Sequence, residues 1–171
     1  MNSSKRRETV LQLIKESKSP ISASALANMT QVSRQLIVGD VALLRAQGHK
    51  IIATPRGYLS DDEVERGITK TLAIIHEPEE ILDEFYTIVD LGGTIKDVIV
   101  EHPVYGQIVA QLHVSNRYEA DQFYQKILKM HAKPLSNLTN GLHLHTISCP
   151  NEECYQRIEQ ALGQKGYLYN K

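Results

Sequence analysis

Residues 22–59 read SASALANMTQVSRQLIVGDVALLRAQGHKIIATPRGYL, and this stretch decides the fold of the first half of the chain. Ser22 is placed to cap a short helix whose Ala23, Ala25, Leu26 and Ala27 form a small-residue face that lets another helix approach closely. Thr30-Gln31-Val32 makes a tight turn. Ser33 caps a longer helix that runs to Gln47 and stops at Gly48, a residue suited to the left-handed position just past a helix end. Lys50 to Ala53 and Tyr58-Leu59 then read as two short strands around the turn Thr54-Pro55-Arg56-Gly57. Helix, turn, helix and cation-bearing hairpin is the order needed to set one helix in the major groove of DNA and rest a wing on the adjacent backbone.

At 100° per residue, Leu36, Ile37, Val41 and Leu44 gather on one side of the longer helix as its expected core face. Arg34, Gln35, Val38, Gly39, Ala42 and Arg45 gather on the other. An N-terminus-first entry puts Arg34 and Gln35 near bases and Arg45 nearer a phosphate, with Ser33, Val38 and the wing's Arg56 completing the candidate DNA-binding set. Gly39 stands where a larger polar or basic residue is expected, and it costs about 1 kcal/mol of helix propensity relative to Ala. Taken alone, such a helix is equally an ordinary amphipathic one with a solvent face. The turn before it and the hairpin after it favour the DNA reading.

Upstream, a helix from about Ser4 to Lys18 carries Val10, Leu11, Leu13 and Ile14 on one stripe and ends before Ser19-Pro20. The net charge of −1 conceals an asymmetry: residues 1–58 carry nine Lys or Arg against three Asp or Glu, and the remainder ten against seventeen. A head of +6 on a body of −7 points to a polyanion as the partner of the head alone. No apolar run reaches the roughly eighteen residues a membrane span needs, so a cytoplasmic protein is expected. Cys149 and Cys154 match neither a disulfide framework nor the usual zinc spacing, and no chemistry is assigned to them.

The second half follows a charged connector, Asp61 to Gly67. Strands are expected over 69–75, 95–101, 107–114 and 142–148, and helices over 77–91, 117–132 and 151–164, an α+β sandwich in outline. The expected division is 1–60 for the DNA-binding domain and 68–171 for a second domain. Six of the seven histidines lie in this half. In His143-Leu144-His145 the two-residue period of a strand puts both imidazoles on one face, the spacing that gives two nitrogens to one metal. Two alternating surface histidines would read the same way. His76, at a strand end, is a candidate third ligand, and Glu84, about two helical turns further on, a candidate oxygen donor with Glu80 as its substitute. Three imidazoles and a carboxylate suit zinc, nickel, iron or cobalt alike. His49, His113 and His131 are assigned no role.

The first segment, Val32-Ser33-Arg34-Gln35 through Gln47-Gly48 with Ile52 to Tyr58, resembles the winged helix of bacterial repressors related to the biotin-ligase repressor. His76-Glu77-Pro78, Glu84, Val100-Glu101-His102-Pro103-Val104-Tyr105-Gly106, Val114-Ser115-Asn116-Arg117-Tyr118 and Asn140 to Thr146 are similar to the three-histidine regulatory domain of bacterial niacin-responsive repressors. The two resemblances together cover nearly the whole chain. They imply a metal held by His76, Glu84, His143 and His145, and nicotinic acid as co-repressor. They also imply control of genes for niacin uptake or NAD biosynthesis, and two half-sites in successive major grooves of double-stranded DNA call for a homodimer. A nicotinate carboxylate needs a cationic donor, for which Arg117 at a helix start is the candidate, with His102 and Tyr105 to stack on or donate to the ring; Arg117 capping its own helix is the bland alternative. An open metal position for the effector is the other possibility.

Two further functions compete: a metal-sensing repressor whose signal is the ion, and a metalloenzyme with an appended DNA-binding domain. The second lacks an additional general base, a nucleophile or a phosphate loop, so no enzymatic activity is expected.

Overall fold

The structure, a computed structural model, describes residues 2–61 and 67–170; most of the expected connector lies outside the described residues. The chain divides into two compact units, Met1–Val64 and Glu65–Lys171.

In the first unit, helices α1 (Ser3–Glu16), α2 (Ala23–Thr30) and α3 (Arg34–Ala46) are followed by strands β1 (Ile51–Thr54) and β2 (Gly57–Ser60). Each helix begins at a side chain that accepts a hydrogen bond from a backbone N–H of the first turn. These are Asn2 from Lys5 (2.9 Å), Ser22 from Ala25 (3.0 Å) and Ser33 from Leu36 (3.3 Å). The turn between α2 and α3 closes with Gln31 in the left-handed region, φ 57°. Val10, Ile14, Leu26, Ile37, Val41, Leu44 and Ile51 form the core.

One expectation about α3 is corrected. Leu36 is 48% exposed rather than part of the core face, and the buried residues of α3 are Ile37, Asp40, Val41 and Leu44. Leu36 sits in the first turn, at the edge of what α1 and α2 can cover. The charged Asp40 is buried in its stead because Arg6 of α1 donates from Nε and Nη2 to its two carboxylate oxygens, at 2.6 and 3.1 Å.

The wing is a two-stranded antiparallel hairpin with Ala53 opposite Tyr58. It is anchored by Ile21, whose N–H and carbonyl exchange 2.9 Å bonds with Tyr58. Gly57 permits this approach: its φ is 143°, and a Cβ there would meet the Ile21 carbonyl oxygen at 2.3 Å.

In the second unit, β3 (Ile68–Ile75), β4 (Thr94–His102), β5 (Gly106–Val114) and β6 (Leu142–Cys149) form an antiparallel sheet ordered β3-β6-β4-β5. Helices α4 (Ile81–Asp90), α5 (Arg117–Lys129) and α6 (Glu152–Gln164) supply Ile81, Phe85, Ile88, Ala120, Ile158 and Leu162 to a core shared with Leu72, Ile74, Ile95, Leu112 and Ile147 of the sheet. The fold is α+β. The helix expected from Glu77 starts instead as a 3-10 turn over Pro78–Glu80, with α-helix only from Ile81. Pro78 and a capping box between Glu77 and Glu80 tighten that first turn. A second 3-10 turn, Leu135–Thr139, has no counterpart in the sequence reading.

Replacing Gly57 by Ala is expected to detach the wing from Ile21. We expect a loss of roughly 2–3 kcal/mol of stability in the first unit, read by urea unfolding, with fast amide exchange at Tyr58.

Candidate functional site

β6 pairs with β3 so that His143 lies opposite Ile74 and His145 opposite Leu72, which turns both imidazoles to the face covered by the helices. They are therefore buried and not alternating surface residues. His76 follows the last residue of β3, and Glu84 lies in the first turn of α4. The four side chains converge. Glu84 Oε2 is 2.6 Å from His76 Nε2 and 3.6 Å from His143 Nε2, and Glu84 Oε1 is 3.2 Å from His145 Nε2. None of these side chains is more than 3% exposed.

The other nitrogen of each ring faces a backbone carbonyl. Nδ1 donates to Glu77 in His76 (2.8 Å), to Gly141 in His143 (2.8 Å) and to Asp97 in His145 (2.5 Å). A nitrogen facing a carbonyl must carry the hydrogen, so all three Nε2 atoms carry lone pairs when the rings are neutral, and all three lie within 3.6 Å of a Glu84 carboxylate oxygen. Gly141 makes this possible: its φ is 88°, and a Cβ there would lie 2.5 Å from the His76 carbonyl oxygen. Asp97, buried beside a register shift in β4, also accepts from the N–H of Thr146 at 3.0 Å. Phe85 meets His145 edge-on at 5.7 Å and Tyr167 meets His76 at 5.3 Å, so apolar rings wall the cluster.

Three inward lone pairs and a buried carboxylate need positive charge among them. Glu84 Oε1 is buried yet accepts no hydrogen bond. Burial opposes ionisation of Glu84, but the charge of His145 and the bonds from the histidines outweigh it and hold its carboxyl well below the usual range. Burial likewise opposes the imidazolium forms, yet Glu84 raises both His76 and His145 above 6.5. Protons can supply the charge, and so can a divalent cation. Three of the four expected donors fit the latter, since the ligand atoms of His76, Glu84 and His143 lie within 4.8 Å of one another; His145 stands outside that group and meets it through Glu84 Oε1 at 3.2 Å. Glu80, the substitute oxygen donor, is engaged elsewhere: its Oε2 accepts from the Glu77 N–H at 3.0 Å. A cleft of about 260 Å³ lined by Glu77, Pro78, Asn137, Asn140 and Gly141 opens next to the two carbonyls that orient His76 and His143.

Arg117 is not brought together with His102 and Tyr105. Its guanidinium donates to Asp90 at 2.8 Å from Nε and stacks 4.3 Å over the Tyr86 ring. His102 and Tyr105 lie at the β4–β5 hairpin tip, where His102 Nδ1 accepts from the backbone of Val104 and Tyr105. The length of β5 separates them from Arg117 by roughly 25 Å. The expected three-residue effector pocket is not formed within one chain.

On α3, Ser33, Arg34, Gln35 and Arg45 are exposed, whereas Val38 is half-buried against the core. Arg56 occupies the wing turn, half-buried, its N–H donating to Thr54 Oγ1 at 3.2 Å. A helix-turn-helix (HTH) domain family matches residues 6–59, and the 3H domain family matches residues 69–171. The "Probable transcription repressor NiaR" of Thermotoga maritima is 43% identical over 163 residues, 95% of this chain and 93% of that protein. The "Transcription repressor NadR" of Bacillus subtilis is 43% identical over 166 residues, 95% of this chain and 92% of its own length.

The chain belongs to the NiaR/NadR family of transcription repressors. The HTH domain of this family member implies DNA binding, and among the described residues no helix is long and apolar enough to cross a membrane. Within its 3H domain, sequence reasoning missed Asp97 and Tyr167, and it included Gly141 in the Asn140 to Thr146 stretch without giving it a role. The only signal was Gly141 itself, a glycine two residues ahead of a candidate ligand.

The chelated protein should show the cluster in its pH dependence. Raised His76 and His145 stabilise fully below their unfolded value of 6.5 and lose that contribution as pH rises through their folded values. Lowered Glu84 stabilises above 4.5 and loses its contribution as pH falls through its own folded value. Urea midpoints measured with chelator are expected to be highest between these limits. A midpoint climbing steadily to pH 8 would show that no imidazolium faces Glu84.

Proposed function

We propose that the protein is a homodimeric repressor that binds operator DNA when charged with nicotinic acid and controls genes for niacin uptake or NAD biosynthesis. The repressor part rests on membership of the NiaR/NadR family. Nicotinic acid and the target genes rest on the resemblance of the second half to niacin-responsive repressors. The observation that carries the mechanism is the meeting of His76, Glu84, His143 and His145 in a buried cluster on a chain that begins with a DNA-binding domain.

In this reading the four side chains hold a divalent transition metal that supplies fixed positive charge to Glu84 and locks β3, α4 and β6 together. The effector enters the cleft beside Asn137 and Asn140, whose amides can donate to a carboxylate. There it meets the backbone carbonyls that orient two of the metal ligands, so its binding and the ion's are linked. Arg117 takes no part, being held by Asp90. Two half-sites in successive major grooves require two recognition helices, hence the dimer. Arg34 and Gln35, with Ser33 at the helix start, set base preference, while Arg45 and Arg56 set affinity and salt dependence.

A second reading, in which the ion itself is the signal, is favoured by the burial of the cluster: none of its four side chains is more than 3% exposed.

A mobility-shift titration of full-length protein on a matching operator tests the proposal. Nicotinate is expected to strengthen retardation of metal-loaded protein, and Arg56→Ala to weaken all sequences about equally. Retardation that follows metal alone would favour the metal sensor, and no retardation at low ionic strength would end both readings. Measured separately, nicotinate affinity is expected to survive Arg117→Ala and to fall roughly tenfold in Asn140→Ala.

A further inference from the structure

Gly39 lies in the middle of α3, one turn beyond Gln35 and exposed. A helix glycine has a reason inside its own molecule when the backbone is left-handed or when a neighbour fills the space of a side chain. Neither holds at this position. Gly39 is absent from the residues of positive φ, and a Cβ built on it meets nothing within 4 Å among the described residues. The helix also runs unbroken through it from Arg34 to Ala46. Alanine would strengthen α3 without touching anything.

The neighbours of Gly39 one turn away on one flank are Leu36 and Leu43, 48% and 52% exposed. Bare backbone flanked by two solvent-facing leucines makes a notch that offers neither hydrogen-bond donors nor charge. In the major groove the base edges present donors, acceptors and one apolar group, the thymine 5-methyl.

Resting on the reading of α3 as the recognition helix, the geometry points to Gly39 as the position of closest approach to the base edges. Its missing side chain, with Leu36 and Leu43 alongside, admits a thymine methyl. Gln35 and Arg34 then meet the hydrogen-bonding edges of neighbouring bases, and the specificity of the helix is split between a polar first turn and an apolar second one.

Selection from random duplexes with full-length wild-type and Gly39→Ala proteins tests this. Wild type is expected to enrich a half-site with a fixed thymine. Exchanging that thymine for uracil, which removes only the methyl, should weaken binding roughly tenfold. The variant should show slower amide exchange in α3, operator affinity at least roughly tenfold lower, and indifference to the thymine-to-uracil change. If Gly39→Ala binds the selected operator as tightly as wild type, or wild type ignores the uracil exchange, the inference is overturned. If wild type enriches no sequence, the recognition-helix reading itself fails, and with it this one.

Discussion

The second unit is organised around one carboxylate that cannot stand alone. Glu84 is nearly absent from the surface, its Oε2 is within 2.6 Å of one imidazole and its Oε1 within 3.2 Å of another. An isolated ionised carboxylate in such surroundings would take up a proton, because the interior solvates charge poorly. It stays ionised because three rings are delivered to it from elsewhere in the chain: one after β3 and two from β6. The register of β3 with β6 is therefore also an electrostatic condition. A one-residue slip of β6 would turn His143 and His145 to the other face and leave Glu84 without compensation. Each ring is in turn fixed through its other nitrogen by a carbonyl of Glu77, Gly141 or Asp97, so backbone from three separate segments holds the donors in place. A cation bound by the cluster would stabilise this arrangement of strands and helix as well, because the unfolded chain does not preserve it.

Much of this could be read from the sequence because the relevant signals were local or strictly periodic. Ser22 and Ser33 announced their helices, since a side-chain oxygen at the N-cap answers a backbone donor three residues on. The two-residue period of a strand put His143 and His145 on one face, although it could not say which face, because that depends on what covers the sheet. What the sequence did not disclose was set by tertiary partners. Leu36 fits the core face by angle, yet Asp40 is buried instead, and its burial depends on Arg6, 34 residues away. Asp97 reaches His145 and Thr146 through an irregularity in β4 that breaks the alternation on which strand reading relies. Side-chain chemistry groups His102, Tyr105 and Arg117, but the full length of β5 keeps Arg117 apart from the other two.

The pairing of Arg6 with Asp40 changes the meaning of the basic head. The excess of cations over acids in residues 1–58 points to a polyanion partner, but one guanidinium is committed to the interior, where it joins α1 to the inner side of α3. Arg34 and Arg45 remain exposed on α3 itself, and Lys50 at the base of the wing. The pair cancels, so the excess in residues 1–58 stays at +6, carried partly by α3 and the hairpin and partly by the exposed Lys5, Lys15 and Lys18. Concentration matters more than the total for a duplex, since phosphates a few ångströms away feel local cations and the rest are screened over a Debye length of about 8 Å. An interior ion pair across α1 and α3 also resists rotation of α3 about its own axis, because two parallel hydrogen bonds to one carboxylate fix both distance and plane. The residues that α3 turns outward are therefore set by Asp40 on its inner side as much as by the leucine and isoleucine contacts around it.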